Sequence, residues 1–230
     1  MKALSNPDLL ELWERGTGLH CLDRALLAIA AAEPGEPYAA LADWPLGRRN
    51  AALARLRREC FGSALTGWVA CPQCGERLEF SLDLGTLFQE RSDAAAEPTA
   101  QDSSFRALTS RDLASVAAEI DERAAAQKLL RLCGAQEREF STEELEALGE
   151  RLAEADPLAE TLLEFACAAC GQRWQEPLDI AAWLWVEIEA HARRLLHDVH
   201  TLAAAYGWTE REILSLSEPR RAVYLDMVQA

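Results

Sequence analysis

Apolar side chains recur at helical spacing along much of this chain. Leu19, Leu22, Leu26 and Ile29 share one helix face, and Glu33-Pro34-Gly35-Glu36-Pro37 stops that helix. A second helix is expected from about Arg48 to Cys60, with Leu53, Leu56 and Cys60 inward and Gly62 just past its end. Thr109 is placed to cap a helix carrying Leu113, Val116 and Ile120. Another runs through Leu129, Leu130 and Leu132 to Gly134, and Ser141 with Glu144 forms a capping box for a third. The longest stripe is Ile180, Leu184, Ile188, Ala192, Leu195, Val199, Leu202 and Tyr206, with Asp179 as N-cap and Gly207 at its end. Thr209 with Glu212 opens a short helix holding Ile213, Leu214 and Leu216. Ser217 and Pro219 start a last one with Val223, Tyr224 and Met227. Trp183 falls on the far side of the long helix from its aliphatic stripe, where it is expected to pack against neighbouring elements; Trp185 sits on the flank of the stripe.

The pattern changes around two short motifs. Leu65 to Ala70 and Thr161 to Ala166 are apolar-rich; Glu76 to Leu82 and Gln172 to Leu178 partly alternate, so each pair reads as two strands. Between them stand Cys71-Pro-Gln-Cys74-Gly75 and Cys167-Ala-Ala-Cys170-Gly171, followed in register by Arg77 and Arg173 and by Leu82-Asp83-Leu84 and Leu178-Asp179-Ile180. The two copies lie 96 residues apart and form an internal repeat. Gly75 and Gly171 supply the positive φ that a turn aiming two sulfurs at one ion demands. Four thiolates, Cys71, Cys74, Cys167 and Cys170, fill the shell of one structural zinc and leave no position for water or substrate. The competing reading is two turns that never meet and keep free thiols. A thioredoxin-like role is weaker, because neither pair opens a helix within a βαβ pattern. Cys21, Cys60 and Cys133 are lone residues in helical stretches and read as small buried hydrophobes.

The expected fold class is therefore mainly α with a small β zinc ribbon built from two distant CxxC hairpins. Residues 1–64 form an N-terminal helical region, 65–91 and 160–179 a split ribbon, 92–104 a linker of composition SDAAAEPTAQDSS, 105–159 a helical insert and 180–230 a C-terminal helical region.

Composition narrows the function. Lys+Arg number 23 against 38 Asp+Glu, a net charge of -15, which opposes polyanion binding; the arginines at 48, 49, 55, 57 and 58 read as a solvated helix face. No stretch suggests a membrane span or a secretory leader, and seven cysteines in such a chain fit a reducing cytoplasm better than a disulfide framework. Glu187, His191, His197 and His200 do not converge on a second metal site, and no nucleophile elbow, Walker loop or dinucleotide fingerprint is present. An enzyme is the class least expected.

Several further motifs carry a resemblance. They are Leu46-Gly-Arg48-Arg49, the CPxCG knuckle, Leu108-Thr109-Ser-Arg111-Asp112-Leu113, Leu184-Trp185, Arg193-Arg194-Leu195-Leu196-His197-Asp198-Val199-His200, Tyr206-Gly207-Trp208-Thr-Glu210, Ile213-Leu214-Ser-Leu216 and Arg220-Arg221-x-x-Tyr224-Leu225. Together they resemble a family of zinc-ribbon proteins among the tail and baseplate components of contractile phage-like particles. The C-terminal part is similar to the baseplate hub assembly chaperones of T-even-type phages. The resemblance implies a non-enzymatic structural or assembly role, with hub or wedge proteins of the baseplate as partners, one structural zinc and no small-molecule substrate. It also implies partner contacts by Trp185, Tyr206, Trp208, Arg220, Arg221 and Tyr224. The alternative is a zinc-ribbon nucleic-acid-binding or transcription adaptor, in which Arg77 and Arg173 would lie on a basic ribbon face.

Overall fold

The computed structural model describes residues 1–88, 105–134 and 138–229. The expected linker at 92–104 lies outside them. The chain is mainly helical, with two small antiparallel two-stranded sheets. Helices α1 (Asn6–Gly16), α2 (Cys21–Ala32), α3 (Tyr38–Leu41) and α4 (Leu46–Phe61) precede the first hairpin, β1 (Ala64–Ala70) and β2 (Arg77–Asp83). The insert holds α5 (Ser110–Val116), α6 (Glu122–Cys133) and α7 (Thr142–Ala155). The second hairpin, β3 (Leu162–Ala166) and β4 (Arg173–Pro177), leads into α8 (Ile180–Tyr206), α9 (Glu210–Leu214) and α10 (Glu218–Gln229). Among the described residues no helix is long and apolar enough to cross a membrane.

α8 is the spine. Ile180, Leu184, Ile188, Ala192, Leu195 and Leu202 are buried along it as the stripe requires, whereas Tyr206, the last position, is exposed. α1, α2 and α4 close over this stripe with Leu9, Leu12, Leu26, Ile29, Leu53 and Leu56. α1 is an element that the apolar spacing alone did not reveal. Its signature is a capping box, with Ser5 and Asp8 exchanging hydrogen bonds and Pro7 in the first turn. Three expected positions move outside their helices: α2 starts at Cys21, leaving Leu19 exposed, α5 ends at Val116, leaving Ile120 in solvent, and α9 ends at Leu214, short of Leu216.

Two arginines of α4 correct the solvated-face reading, while Arg48, Arg55 and Arg58 are exposed as expected. Arg57 is buried and forks onto Glu187 of α8, with Nε donating to Oε2 at 2.9 Å and a terminal nitrogen to Oε1 at 2.7 Å. Its remaining terminal nitrogen donates to the Gly62 carbonyl at 2.6 Å, so the same guanidinium closes the C-terminal end of α4. Arg49 is also buried and donates to Asn50 Oδ1 and Ser110 Oγ, and Arg48 lies 3.7 Å from the Trp44 ring centroid. A helical pattern shows which residues share a face, but not that a neighbouring segment covers that face with acceptors.

That neighbour is the insert. Asn50 donates to the carbonyls of Leu158 and Ala159, Gly47 N–H to Asp156, Leu46 N–H to the Leu108 carbonyl, and Arg111 forks onto Asp43. The start of α4 thus holds both ends of the insert. Asp112 is the buried polar centre on its α5 side: Thr109 and Arg106 both donate to its carboxylate. Burial alone would raise the Asp112 carboxyl, but these donors outweigh it and hold it below its ordinary value of 3.8. A carboxyl depressed in the folded state stabilises above its unfolded pKa and loses that contribution as pH falls through the folded one. Asp112→Asn is therefore expected to cost on the order of 2 kcal/mol at neutral pH. It should also remove part of the acid dependence below about pH 4, read from denaturant titrations at pH 7 and pH 3.

Candidate metal centre

Each knuckle is built by its own backbone. Cys71 N–H donates to the Glu76 carbonyl at 2.8 Å and Gly75 N–H to the Cys71 carbonyl at 2.9 Å. Cys167 with Gln172, and Gly171 with Cys167, repeat the two bonds at the same lengths. Gly75 and Gly171 have φ of 74° and 75°, the left-handed conformation that lets the chain reverse directly after the second sulfur. β1 and β2 pair from Ala64↔Asp83 to Ala70↔Arg77, and β3 and β4 from Leu162↔Pro177 to Ala166↔Arg173, so both hairpins present their turns at the same end.

The two turns meet. Cys71 Sγ lies 3.6 Å from Cys170 Sγ and Cys74 Sγ 3.6 Å from Cys167 Sγ, and all four sulfurs fall within 4.8 Å of one another. A tetrahedral thiolate shell with metal–sulfur bonds of about 2.3 Å has edges of about 3.8 Å, so the donor set fits a single ion. The spacing is far beyond a disulfide's roughly 2.05 Å, and all four are free cysteines. The arrangement is pseudo-twofold: the first cysteine of each pair is buried, the second is exposed, and each close contact joins a first to a second. Two separate CxxC turns are thereby ruled out as a description of the fold.

The sulfurs of the two turns shift one another's titration. Burial raises the Cys71 thiol, but the amides of Cys74 and Gln73 and the Cys170 and Cys74 sulfurs more than offset it and bring it to about 7. The Glu76 amide pulls Cys74 down in the same way. Burial and the sulfurs of Cys167, Cys170 and Cys71 win there and push it up to about 12. One thiolate is welcome at this point and a second is repelled, unless a positive ion joins them.

Aromatic side chains fix the ribbon to the helical body. Phe80 of β2 meets Phe165 of β3 edge-on at 5.4 Å between centroids, which packs one hairpin on the other. Trp183 of α8 meets Phe80 edge-on at 6.1 Å and covers Gly67 so closely that a methyl there would overlap the indole. Trp183 thus packs against the ribbon as expected.

The C-terminal residues divide. Tyr206, Trp208 and Tyr224 gather into one cluster, with Tyr206 and Trp208 stacked at 4.7 Å and Trp208 edge-on to Tyr224 at 4.8 Å; Arg220 lies 5.8 Å from the Tyr224 centroid. Two residues leave the partner-facing set. Trp185 is buried, its ring against Gly16 and the Arg24 guanidinium 4.7 Å from its centroid. Arg221 is 3 % exposed and donates to Asp198 of α8 at 2.9 Å. Trp185 lies on the flank of the stripe of α8, and the packing of α1 on α8 covers it as that of α10 on α8 covers Arg221. Glu187 is taken by Arg57, and His191 Nε2 lies 2.9 Å from Asn6 Oδ1. Among the described residues the four cysteines are the one group of three or more metal-ligating side chains brought together.

No protein-family model matches this chain, and neither a curated protein nor a solved structure matches it. The class that fold and site define is a mainly helical α+β protein with a four-cysteine candidate metal site between two hairpins.

Gly171→Ala tests the turn geometry. It is expected to cost about 1–2 kcal/mol by forcing a side chain into left-handed backbone, and to lower metal affinity, whereas Gly149→Ala, in ordinary helix, should leave both intact or improved; equilibrium unfolding and competition with a chromogenic chelator read the two effects.

Proposed function

We propose that the chain is a non-enzymatic structural or assembly protein that holds one structural zinc through Cys71, Cys74, Cys167 and Cys170 and acts by protein–protein contacts. The observation that carries this reading is the closed four-sulfur site: every ligand position is a cysteine, so the bound ion supplies a cross-link and no reactive coordination position. The residues set the rest. The knuckle amides orient the sulfurs, and Phe80, Phe165 and Trp183 hold the two hairpins on α8. Iron would fit the same donors, and zinc is favoured because two CxxC turns supplying four thiolates are a recurrent closed shell for structural zinc.

Assembly is the proposed work because the aromatic cluster of Tyr206, Trp208 and Tyr224, flanked by Arg220, stands at the end of the spine with Tyr206 exposed. The partner is proposed to be a hub or wedge component of a contractile particle's baseplate, on the strength of the sequence resemblance. A nucleic-acid adaptor is the weaker reading. The charge is -15, and Arg77 rests 4.5 Å from the Trp68 ring centroid in a position that serves the hairpin itself.

The purified chain is expected to carry one zinc per molecule by elemental analysis. A cross-link over a loop of this length contributes about 4 kcal/mol of chain entropy, so chelation should lower the melting temperature by roughly 10 °C. Visible charge-transfer absorption would replace zinc by iron, and four freely reactive thiols in the folded chain would remove the metal altogether. In pull-downs against baseplate hub and wedge proteins, Trp208→Ala should weaken capture with the metal retained. Salt-sensitive binding to DNA instead would favour the adaptor.

A further inference from the structure

Among the described residues, the insert leaves an apolar helix face only half-covered. α7 is 14 residues long, opens with a capping box and carries Leu145, Leu148 and Leu152 at helical spacing, yet none of its residues is buried. An amphipathic helix draws most of its stability from burying such a stripe. Beside it runs a groove of about 430 Å³ walled by Leu46, Leu108, Leu152 and Leu162, whose charged lining residues are Asp156 and Glu160 alone. Asp156 is spoken for by the Gly47 amide, and burial raises its carboxyl. The flanks of the groove carry exposed Glu143, Glu146, Glu150 and Glu154 on α7. The helix has Arg151 as its one basic residue.

We infer that this groove is the docking site for a basic amphipathic segment of a partner protein, apolar side chains inward and lysines or arginines along its edges. Charge complementarity selects that occupant. A second copy of this chain would bring -15 of its own charge against an acidic rim. Residues 89–104 match no better: their sequence has no apolar side chain larger than alanine or proline, and it sets Glu90, Asp93, Glu97 and Asp102 against Arg91. The mode is helix-in-groove recognition, in which apolar anchors supply affinity and the charged rim supplies partner choice and speed of association. The inference goes beyond the metal-clamped assembly reading. It involves neither the four cysteines nor the C-terminal aromatic cluster.

Gly149 makes the test clean. It lines the groove, and a Cβ built on it meets nothing within 4 Å. Gly149→Trp therefore sets an indole on the groove wall from an unobstructed Cβ, and replacing glycine within a helix favours the helix. The probes are three synthetic peptides of about four helical turns: an amphipathic Leu/Lys helix, the same helix with Glu for Lys, and a Ser/Lys peptide of equal charge without an apolar face. Binding to the full metal-loaded chain is followed by fluorescence anisotropy at low and high salt. The Leu/Lys helix alone is expected to bind. Gly149→Trp should weaken it by at least about tenfold with the melting temperature held or raised. The pair Glu150→Gln and Glu154→Gln should weaken it less and flatten its salt dependence. No binding of the Leu/Lys helix, equal binding of the Leu/Glu or Ser/Lys peptide, or binding untouched by Gly149→Trp would overturn the inference. So would a dimer that Gly149→Trp dissociates, since the occupant would then be a second copy. Metal content measured on the same samples separates this failure from a failure of the zinc reading.

Discussion

Cys71 and Cys170 bring their sulfurs within 3.6 Å across 99 residues of chain, and the rest of the architecture depends on that meeting. Neither hairpin has a core of its own: β1 and β2 pair only with each other, as do β3 and β4, and a lone two-stranded hairpin is marginal in water. Joined at the sulfurs and packed edge-on through Phe80 and Phe165, they become one ribbon with an inner face that α8 can cover. The same meeting returns the chain from the insert directly to the start of the spine, since Pro177 of β4 is followed within three residues by Ile180 of α8. A cation bound at the sulfurs would thus be a fold-closing link, and its loss would be felt far from the knuckles.

A second constraint keeps the insert from swinging on that link. Arg49 and Asn50 are buried on α4 and reach across to the insert, Arg49 to Ser110 Oγ and Asn50 to the carbonyls of Leu158 and Ala159. Buried polar groups of this kind add little net stability compared with apolar packing, but leaving one unpaired is costly, so they select one docking of the insert over its alternatives. Leu46 to Asn50 therefore act as the hinge plate of the molecule: they receive Leu108 on one side and Asp156 to Ala159 on the other. The insert is anchored at its ends while the leucines of its outer helix α7 stay half-buried among the described residues, the arrangement of a module that presents a surface.

Much of this was legible residue by residue. The capping boxes at Thr109, Ser141 and Thr209, the N-cap Asp179, the left-handed Gly207 and both knuckle glycines stand where the local pattern puts them, because each is decided by a few consecutive residues. The four ligands were legible for the same reason, as a repeated spacing. α1 was not read from its apolar residues, although its Ser5-x-x-Asp8 box carries the same signal as the boxes that were recognised. Trp185, Arg221, Arg49 and Arg57 could not be placed, since a helical projection shows which side a residue faces but not what lies there.

By itself, the sequence determined the mainly helical composition, the helix ends, the two metal-type turns and the acidic charge, all of which follow from local geometry and counting. Only the tertiary structure decided that the two turns share one point, that Trp185 and Arg221 are interior, that Tyr206, Trp208 and Tyr224 form one cluster, and that the apolar face of α7 is only half-buried. Those are contacts between segments distant along the chain. Their free energy depends on which faces meet, and that information is spread over the whole fold and held by no short stretch of residues.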